Sequence, residues 1–426
     1  MIQIQNEKIQ ELFTKFWVDW IVNISESHSK DMEYNPLYNE LSYDSSENIS
    51  TTLTLIKNNR KSVYSIDGFS LEKLENAFGE LLQIIDFAEQ DSDIQVANII
   101  DSVEKDFSNP EIENIGFEYF EKQFETVKNY NYDSKVKIEW FSMGLQSSTH
   151  YFINSLWSYK SQKDNVMYAS IVLFWEEWDK SEADRKSLSS KNILEITNEN
   201  IAELEQTILD KLSAKQTTLA SQKYDIILDR EVVIGFIDII LDNMWAESMR
   251  EWLSMFSKNK IWDQIFSPLF TLVNDPELAW YTGTMLFDKE WVTAKKTVLF
   301  EKWKLNAKFY DYKNALKEWI ENLGNSRVSN IDLQVTSTQN FWAWCQYLFT
   351  NLMAFHTVDN NTGKFSLAWE WYLLNEKWEK TQYVKNISLT GDIMNLFSSI
   401  SWVGDDFKTD GNFRVPSLSF SGQMVV

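Results

Sequence analysis

A chain of 426 residues with 12 glycines and 5 prolines is short of the residues from which turns are made. At the usual frequency of about 7%, a chain of this length would hold roughly 30 glycines. Tryptophan runs the other way, at 19, so the two counts together come to 31. Several tryptophans stand where turn chemistry asks for glycine. Trp291 follows Asp288-Lys289-Glu290, Trp303 follows Glu301-Lys302 between two strand-like runs, and Trp371 and Trp378 flank the run at Tyr372. Glycine enters the left-handed backbone region freely, whereas a bulky residue there is a strained outlier. Two expectations compete. Either the gene reads UGA as glycine and these tryptophans stand for glycines, or the chain has a Trp-rich core or ligand groove. The first predicts that most of these side chains are exposed and in turns; the second places them buried in regular elements. Trp20, Trp175, Trp178, Trp252, Trp280, Trp342 and Trp344 fit either expectation.

The net charge is −23 and the sequence pI is near 4.6. So acidic a surface repels phosphate backbones and anionic lipid, so neither nucleic acid nor a membrane is an expected partner. The single cysteine, Cys345, rules out an internal disulfide and suits a reducing cytoplasm. The first residues, MIQIQNEKIQELF, carry charges and no apolar h-region, so no signal peptide is expected, and no apolar run approaches a membrane span. A chain this long can bury a large core and is expected to hold several domains. The boundaries read as an N-terminal α/β domain over 1–90, a polar, acidic linker over 91–109, a middle domain over 110–222 and a C-terminal domain over 223–426.

Along the chain, Ile9, Leu12, Phe13 and Phe16 share one helical face. The runs IVNISES, TTLTLIK and SVYSI are strand-like, with Asn58-Asn59 as a hairpin turn. Ser70 can N-cap a helix whose stripe is Leu71, Leu74, Leu81, Leu82 and Ile85. Asn109-Pro110 opens another helix, faced by Phe117, Phe120, Phe124 and Val127. Residues 135–141, 149–159 and 166–174 read as strands, with Asn154 to Trp157 a turn or strand end, and 176–192 as an exposed charged loop. Thr197 can cap a helix bearing Ile201, Leu204, Ile208 and Leu212. Residues 224–228 read as a buried strand and 231–256 as a helix with a break near Trp245. The fold class is α+β, with mixed helix and strand at the N-terminal side and in the middle, and a strand-rich C-terminal domain.

Residues 361–407 alternate β-prone runs with tight turns at Thr362-Gly363 and Thr390-Gly391. Ile393, Leu396, Phe397 and Ile400 then recur at helical spacing. The order TGKFSLA, VKNISLTGDIMNLFSSI, VGDD, PSLSFSG resembles the C-terminal domain of the TldD/PmbA family, bacterial proteins described as metallopeptidases and as modulators of DNA gyrase. FSPLFTLVNDP (266–276) and FDKEWVTAKKTVLFEKWKL (287–305), followed by Leu323-Gly324-Asn325, resemble it too. The resemblance covers 224–422 well and is weaker over the first 220 residues. It implies glycine at the positions of Trp291, Trp303, Trp371 and Trp378, and of Trp157 and Trp262. The active TldD-type branch is similar to a helix bearing His-Glu-x-x-x-His, with a C-terminal cysteine completing a zinc site. Here the corresponding segment, IGFIDIILDNMWAESMREWLSMFS, has no histidine or cysteine, and DDFKTDGNFRV has no cysteine. The chain therefore resembles the PmbA (TldE) branch, which lacks the zinc motif. The resemblance implies a cytoplasmic heterodimer with a TldD-type subunit that holds the zinc and degrades or processes unfolded peptides, this chain forming part of the chamber wall. The alternative is a stand-alone or homodimeric regulatory protein acting on a protein partner such as DNA gyrase, without peptidase activity.

The remaining chemistry-bearing residues are sparse. His28, His150 and His356 are far apart in sequence. His28 reads as a surface residue and His150 as a core or edge histidine. A Cys345–His356 nucleophilic pair lacks a third member, and Cys345 fits a small buried residue better. Asp405-Asp406 fits a solvated or capping turn. Asp288 and Glu290 fit structural pairs with Lys295 or Lys296, and Glu176, Glu177, Asp179, Glu182 and Asp184 fit a wet loop. No P-loop, G-x-S-x-G or G-x-G-x-x-G is present. No catalytic, cofactor-binding or metal-ligating residue is assigned, and no cofactor is expected in this chain.

Overall fold

The computed structural model describes residues 6–91, 102–177, 180–214, 220–279, 281–302, 304–321, 324–335, 347–352, 355–375 and 380–426. Its first unit is one large sheet. β1 (Asp19–Asn35), β2 (Glu40–Lys57) and β3 (Arg60–Asp67) form an antiparallel meander, closed between β2 and β3 by Asn58 and Asn59 at φ 52° and 60°. Two successive residues in the left-handed region are what a two-residue hairpin turn requires. β4 (Ser102–Asp106) lies within 91–109, the segment read as a linker, and runs parallel to β6. β5 (Val136–Asn154), β6 (Tyr159–Glu177) and β7 (Lys180–Ser190) complete the order β3-β2-β1-β5-β6-β4, with β7 on β6. Strands from before and after the segment 91–109 thus share one sheet.

Two expectations change here. Residues from Val136 through the second run belong to one strand up to Asn154, because β5 is paired with β6 from Val136 to Ile153 and with β1 from Phe141 to Asn154. Residues 180–190 are no loop but β7, paired with β6. The half-buried side of β7 presents Glu182, Asp184, Lys186 and Leu188, so its period-2 pattern is carried by charges. Lys186 pairs with Glu203, and Lys211 Nζ lies 3.2 Å from Asp184. Ion pairs to the covering helix take the place of apolar contacts.

Helices cover one face of this sheet at both ends. α1 (Asn6–Thr14) and α2 (Leu71–Ile84) pack on Trp20, Val22, Ile24, Leu53 and Leu55. Ser70 caps α2 by accepting from the Lys73 amide. α3 (Pro110–Glu113), α4 (Phe117–Lys128) and α5 (Asn198–Ser213) cover Met32, Phe141, Met143 and Leu145 at the other end. Thr197 and Asn200 form a reciprocal capping box at the start of α5.

The second unit begins with β8 (Gln222–Leu228), α6 (Arg230–Asp242) and α7 (Ala246–Arg250). β9 (Thr271–Asp275), β10 (Thr297–Glu301), β11 (Lys304–Leu305), α8 (Tyr312–Lys317) and β12 (Asn330–Gln334) follow. Next come β13 (Tyr347–Leu352), β14 (Lys364–Leu374), β15 (Lys380–Asp392) and α9 (Ile393–Ser398). The chain ends with β16 (Ile400–Val403), β17 (Lys408–Asp410), β18 (Phe413–Val415) and β19 (Leu418–Val425). Two sheets result, β11-β10-β9-β12-β18-β17 and β15-β14-β13-β8-β19-β16. β15 also pairs with β19, so β15, β14, β13, β8 and β19 close into a ring. α6 is apolar nearly all round and shares one core with residues from both sheets. A helix of that kind is stable only when enclosed.

The tryptophans divide sharply. Trp20, Trp175 and Trp371 are buried in strands. Trp371 was expected in a turn; it lies instead inside β14, against Tyr347 and Phe349. Its indole N–H has no hydrogen-bond partner. Trp157, Trp252 and Trp262 are exposed and lie in turns, and Trp291 lies in a turn and is half-buried. Trp178, Trp280, Trp303, Trp342, Trp344, Trp378 and Cys345 lie outside the described residues. Among the described residues no helix is long and apolar enough to cross a membrane.

Candidate functional site

α6 follows β8 directly and occupies the position where a zinc-bearing helix is implied. Asp229 caps it, accepting from the Glu231 amide at 3.2 Å. Val232, Val233, Phe236, Ile237, Ile239, Ile240 and Leu241 turn inward. Gly235 allows the Phe355 ring to lie against the helix, where a Cβ would collide with it. The solvent side carries Asp238 and Asp242, one helical turn apart. Desolvation at the edge of the apolar core, and then the charge of Asp242, push the Asp238 carboxyl up to about 6. Asp242 is raised as well, by desolvation. A peptidase zinc site takes imidazole or thiolate donors beside a water position. α6 offers only carboxylates, so its residues do not fit that group.

Among the described residues, the donor set closest to a metal site lies elsewhere. Along the helix-covered face of the first sheet, β1 reads Val22, Ile24, Glu26, His28, Lys30, Met32. The two ends are apolar and lie under the two helix groups, while the middle is polar. His28 stands directly opposite Glu47 on β2 and Ser147 on β5. Glu26 is buried, and its carboxylate lies 3.1 Å from His28 Nε2. Donor atoms of Glu26, His28 and Glu47 all fall within 4.8 Å of one another. His28 and Glu47 border a cavity of about 490 Å³ shared with Lys30, Glu113 and Ser147. Lys30 crosses toward α3 and donates to the Ile115 carbonyl at 3.0 Å. One imidazole and two carboxylates suit a divalent transition metal. The reading of His28 as a lone surface residue missed this grouping. The signal was the in-phase switch from apolar to polar and back along β1.

The other candidates are dispersed. His150 is half-buried on the opposite face of the sheet, its pKa lowered by desolvation and by Arg327. His356 is exposed in a short 3₁₀ turn. Asp406 accepts from the Ser417 amide (3.0 Å) and hydroxyl (2.7 Å), a capping role. Asp288 is buried and binds the amides of Glu290, Val292 and Ser326 rather than a lysine. Lys296 pairs instead with Asp275, at 2.8 Å. Glu177 pairs with Lys135.

Residues 221–426 match the family described as the PmbA/TldA metallopeptidase C-terminal domain. A metalloprotease of Methanocaldococcus jannaschii is 26% identical over 201 residues, 44% of this chain and 44% of that protein. The chain aligns with 35% to 64% of the length of the curated relatives it matches. Among solved structures, one from Bacteroides thetaiotaomicron named for modulation of DNA gyrase superposes with a TM-score of 0.87 at 18% identity, over 100% of this chain and 99% of that one. TldE from Thermococcus kodakarensis superposes with a TM-score of 0.84 at 15% identity, over 99% of each chain. The fold is therefore shared end to end, and the C-terminal part of the chain, residues 221–426, belongs to the family of PmbA/TldA metallopeptidase C-terminal domains.

Proposed function

We propose that this chain is a non-catalytic subunit of the PmbA (TldE) type, working in the cytoplasm beside a TldD-type subunit that holds the zinc and cleaves unfolded peptides. The observation that carries this reading is α6. It stands where the resemblance implies a zinc-bearing helix, yet it has no histidine or cysteine. Hydrolysis is accordingly assigned to the partner, and this chain shapes the chamber that delivers peptide to it. An extended peptide can be held there by strand addition. A second reading, a stand-alone regulator of a protein such as DNA gyrase, is favoured by the name that the Bacteroides thetaiotaomicron structure bears.

The test is metal content and hydrolysis of an unfolded peptide by the purified chain, alone and mixed with a TldD-type subunit. Substoichiometric zinc, no cleavage alone, and co-elution with cleavage in the mixture are expected. A homodimer that ignores the TldD-type subunit would favour the regulator. One tightly bound zinc with cleavage by the chain alone would overturn both readings. His28→Ala and Glu26→Gln would then be the first variants to make.

A further inference from the structure

We infer that Trp17, Trp157, Trp252, Trp262, Trp291 and Trp319 are glycine positions, and that the native polypeptide carries glycine there, encoded by UGA. Ten non-glycine residues of the described chain have positive φ; six are these tryptophans, three are asparagines and one is a lysine. Asparagine is the side chain that tolerates this region, and a bulky aromatic is among the poorest fits.

The argument rests on turn type, which sets glycine's place independently of composition. At Trp157 the Asn154 amide donates to the Ser158 carbonyl (3.3 Å), and the Trp157 amide donates to the Asn154 carbonyl (3.2 Å). At Trp291 the same two bonds recur: Asp288 to Val292 at 3.0 Å, and Trp291 to Asp288 at 3.2 Å. Both are three-residue hairpin loops whose last residue is left-handed, at φ 65° and 60°. That residue is ordinarily glycine. Trp252 and Trp319 each follow the C-cap of a helix, α7 and α8, at φ 63° and 57°. The next amide reaches back five residues in each case, Leu253 to Ser248 and Ile320 to Ala315, both at 2.9 Å. This is the Schellman closure, with its left-handed residue one place past the C-cap. At α8 the second bond of the motif is also present, Trp319 to Leu316 at 3.1 Å. Ile320 packs with Ala315, the apolar contact that accompanies the motif. Trp262 is the third residue of a turn closed from Asp263 to Lys260 at 3.0 Å. Its φ of 78° is the value a type II turn asks of glycine. Trp17, at φ 23°, lies just past α1.

An aromatic binding surface would explain neither the shared backbone sign nor the agreement with three turn types. Five of the six indoles are exposed, Trp17 and Trp319 almost wholly. They sit on separate turns joining different elements. Trp20 supplies the contrast: it is buried in β1 and stacks edge-on against Phe13, as a true tryptophan should.

The experiment reads the six codons and sequences peptides of the chain isolated from its own source by mass spectrometry. UGA at all six positions, UGG at Trp20, and glycine in the peptides are expected. UGG codons at the six, or tryptophan in the native peptides, would overturn the inference. A second measurement compares the sixfold Trp→Gly variant with the tryptophan chain. A melting temperature higher by about 5 °C or more is expected, while Trp20→Gly should lower it. A sixfold variant that melts no higher than the tryptophan chain would overturn the inference. None of these outcomes bears on zinc content or peptide cleavage.

Discussion

Gly324 shows what a left-handed position demands when it is also crowded. Its φ is 65°, and a Cβ would run into the Thr293 carbonyl and press on the Ala294 backbone. Gly324→Ala should cost about 2 kcal/mol or more, read as a lower urea midpoint with an unchanged slope. Trp319 has a similar φ but is almost fully exposed, so only the conformational term applies. Trp319→Gly should therefore raise stability by about 1 kcal/mol. Part of this was legible in the sequence. Trp157, Trp262 and Trp291 were named from the resemblance, with Asp288-Lys289-Glu290 marking a turn. Trp252 fits either expectation when read alone, because apolar periodicity carries a helix across 231–256 and hides the Schellman closure after α7. Trp371 was assigned wrongly for the opposite reason. Its neighbours Tyr372 to Leu374 fixed a strand but not where that strand begins, and β14 starts at Lys364.

At the scale of the element, α6 was recognisable from its apolar density, and the break expected near Trp245 falls where Trp245 stands at the N-terminus of α7. β7 was not recognisable, since charged residues answer α5 where apolar ones would normally mark a strand. The Glu26–His28–Glu47 set was half legible. The switch along β1 is in the sequence, but Glu47 joins only through the β1–β2 register. Asp238 on α6 gives a pH dependence with a definite sign. Its folded carboxyl, raised to about 6 by desolvation first and Asp242 second, holds a proton more tightly than in the unfolded chain. Both states are protonated at low pH, so stability is greatest there. It declines as pH rises from roughly 4 through about 6, where the folded group must ionise at a penalty. Asp238→Asn should flatten thermal midpoints across that window. It should stabilise the protein at pH 7 by less than about 1 kcal/mol, because the side chain faces solvent and its charge is screened.

Across the whole molecule, the two units meet on the sheet face that carries Lys160, where the Phe152 ring stacks on Trp291, and through polar contacts elsewhere, one of them to α5. Lys160 on β6 is fully buried; its ammonium donates to the Trp291 carbonyl at 2.5 Å and lies 4.8 Å from the centre of the Phe287 ring. Gln162 accepts from the Leu286 amide at 2.7 Å. The Tyr372 hydroxyl reaches Asp210 on α5 at 2.7 Å, and Lys313 reaches Asp91 at 2.8 Å. No sequence pattern announces such a seam, because each partner is single and more than a hundred residues from the other. The Lys160 contact goes to a backbone carbonyl, so it survives whether residue 291 is tryptophan or glycine. A buried ammonium is tolerable only while its acceptor and the aromatic face stay in place. Lys160→Ala empties that space and strands the carbonyl, at a cost of about 2–4 kcal/mol concentrated at the seam. Calorimetry should then separate one unfolding transition into two, with the first unit melting apart from the second. A single transition shifted to lower temperature would mean that the remaining contacts suffice to couple the units, and that the seam does not depend on Lys160.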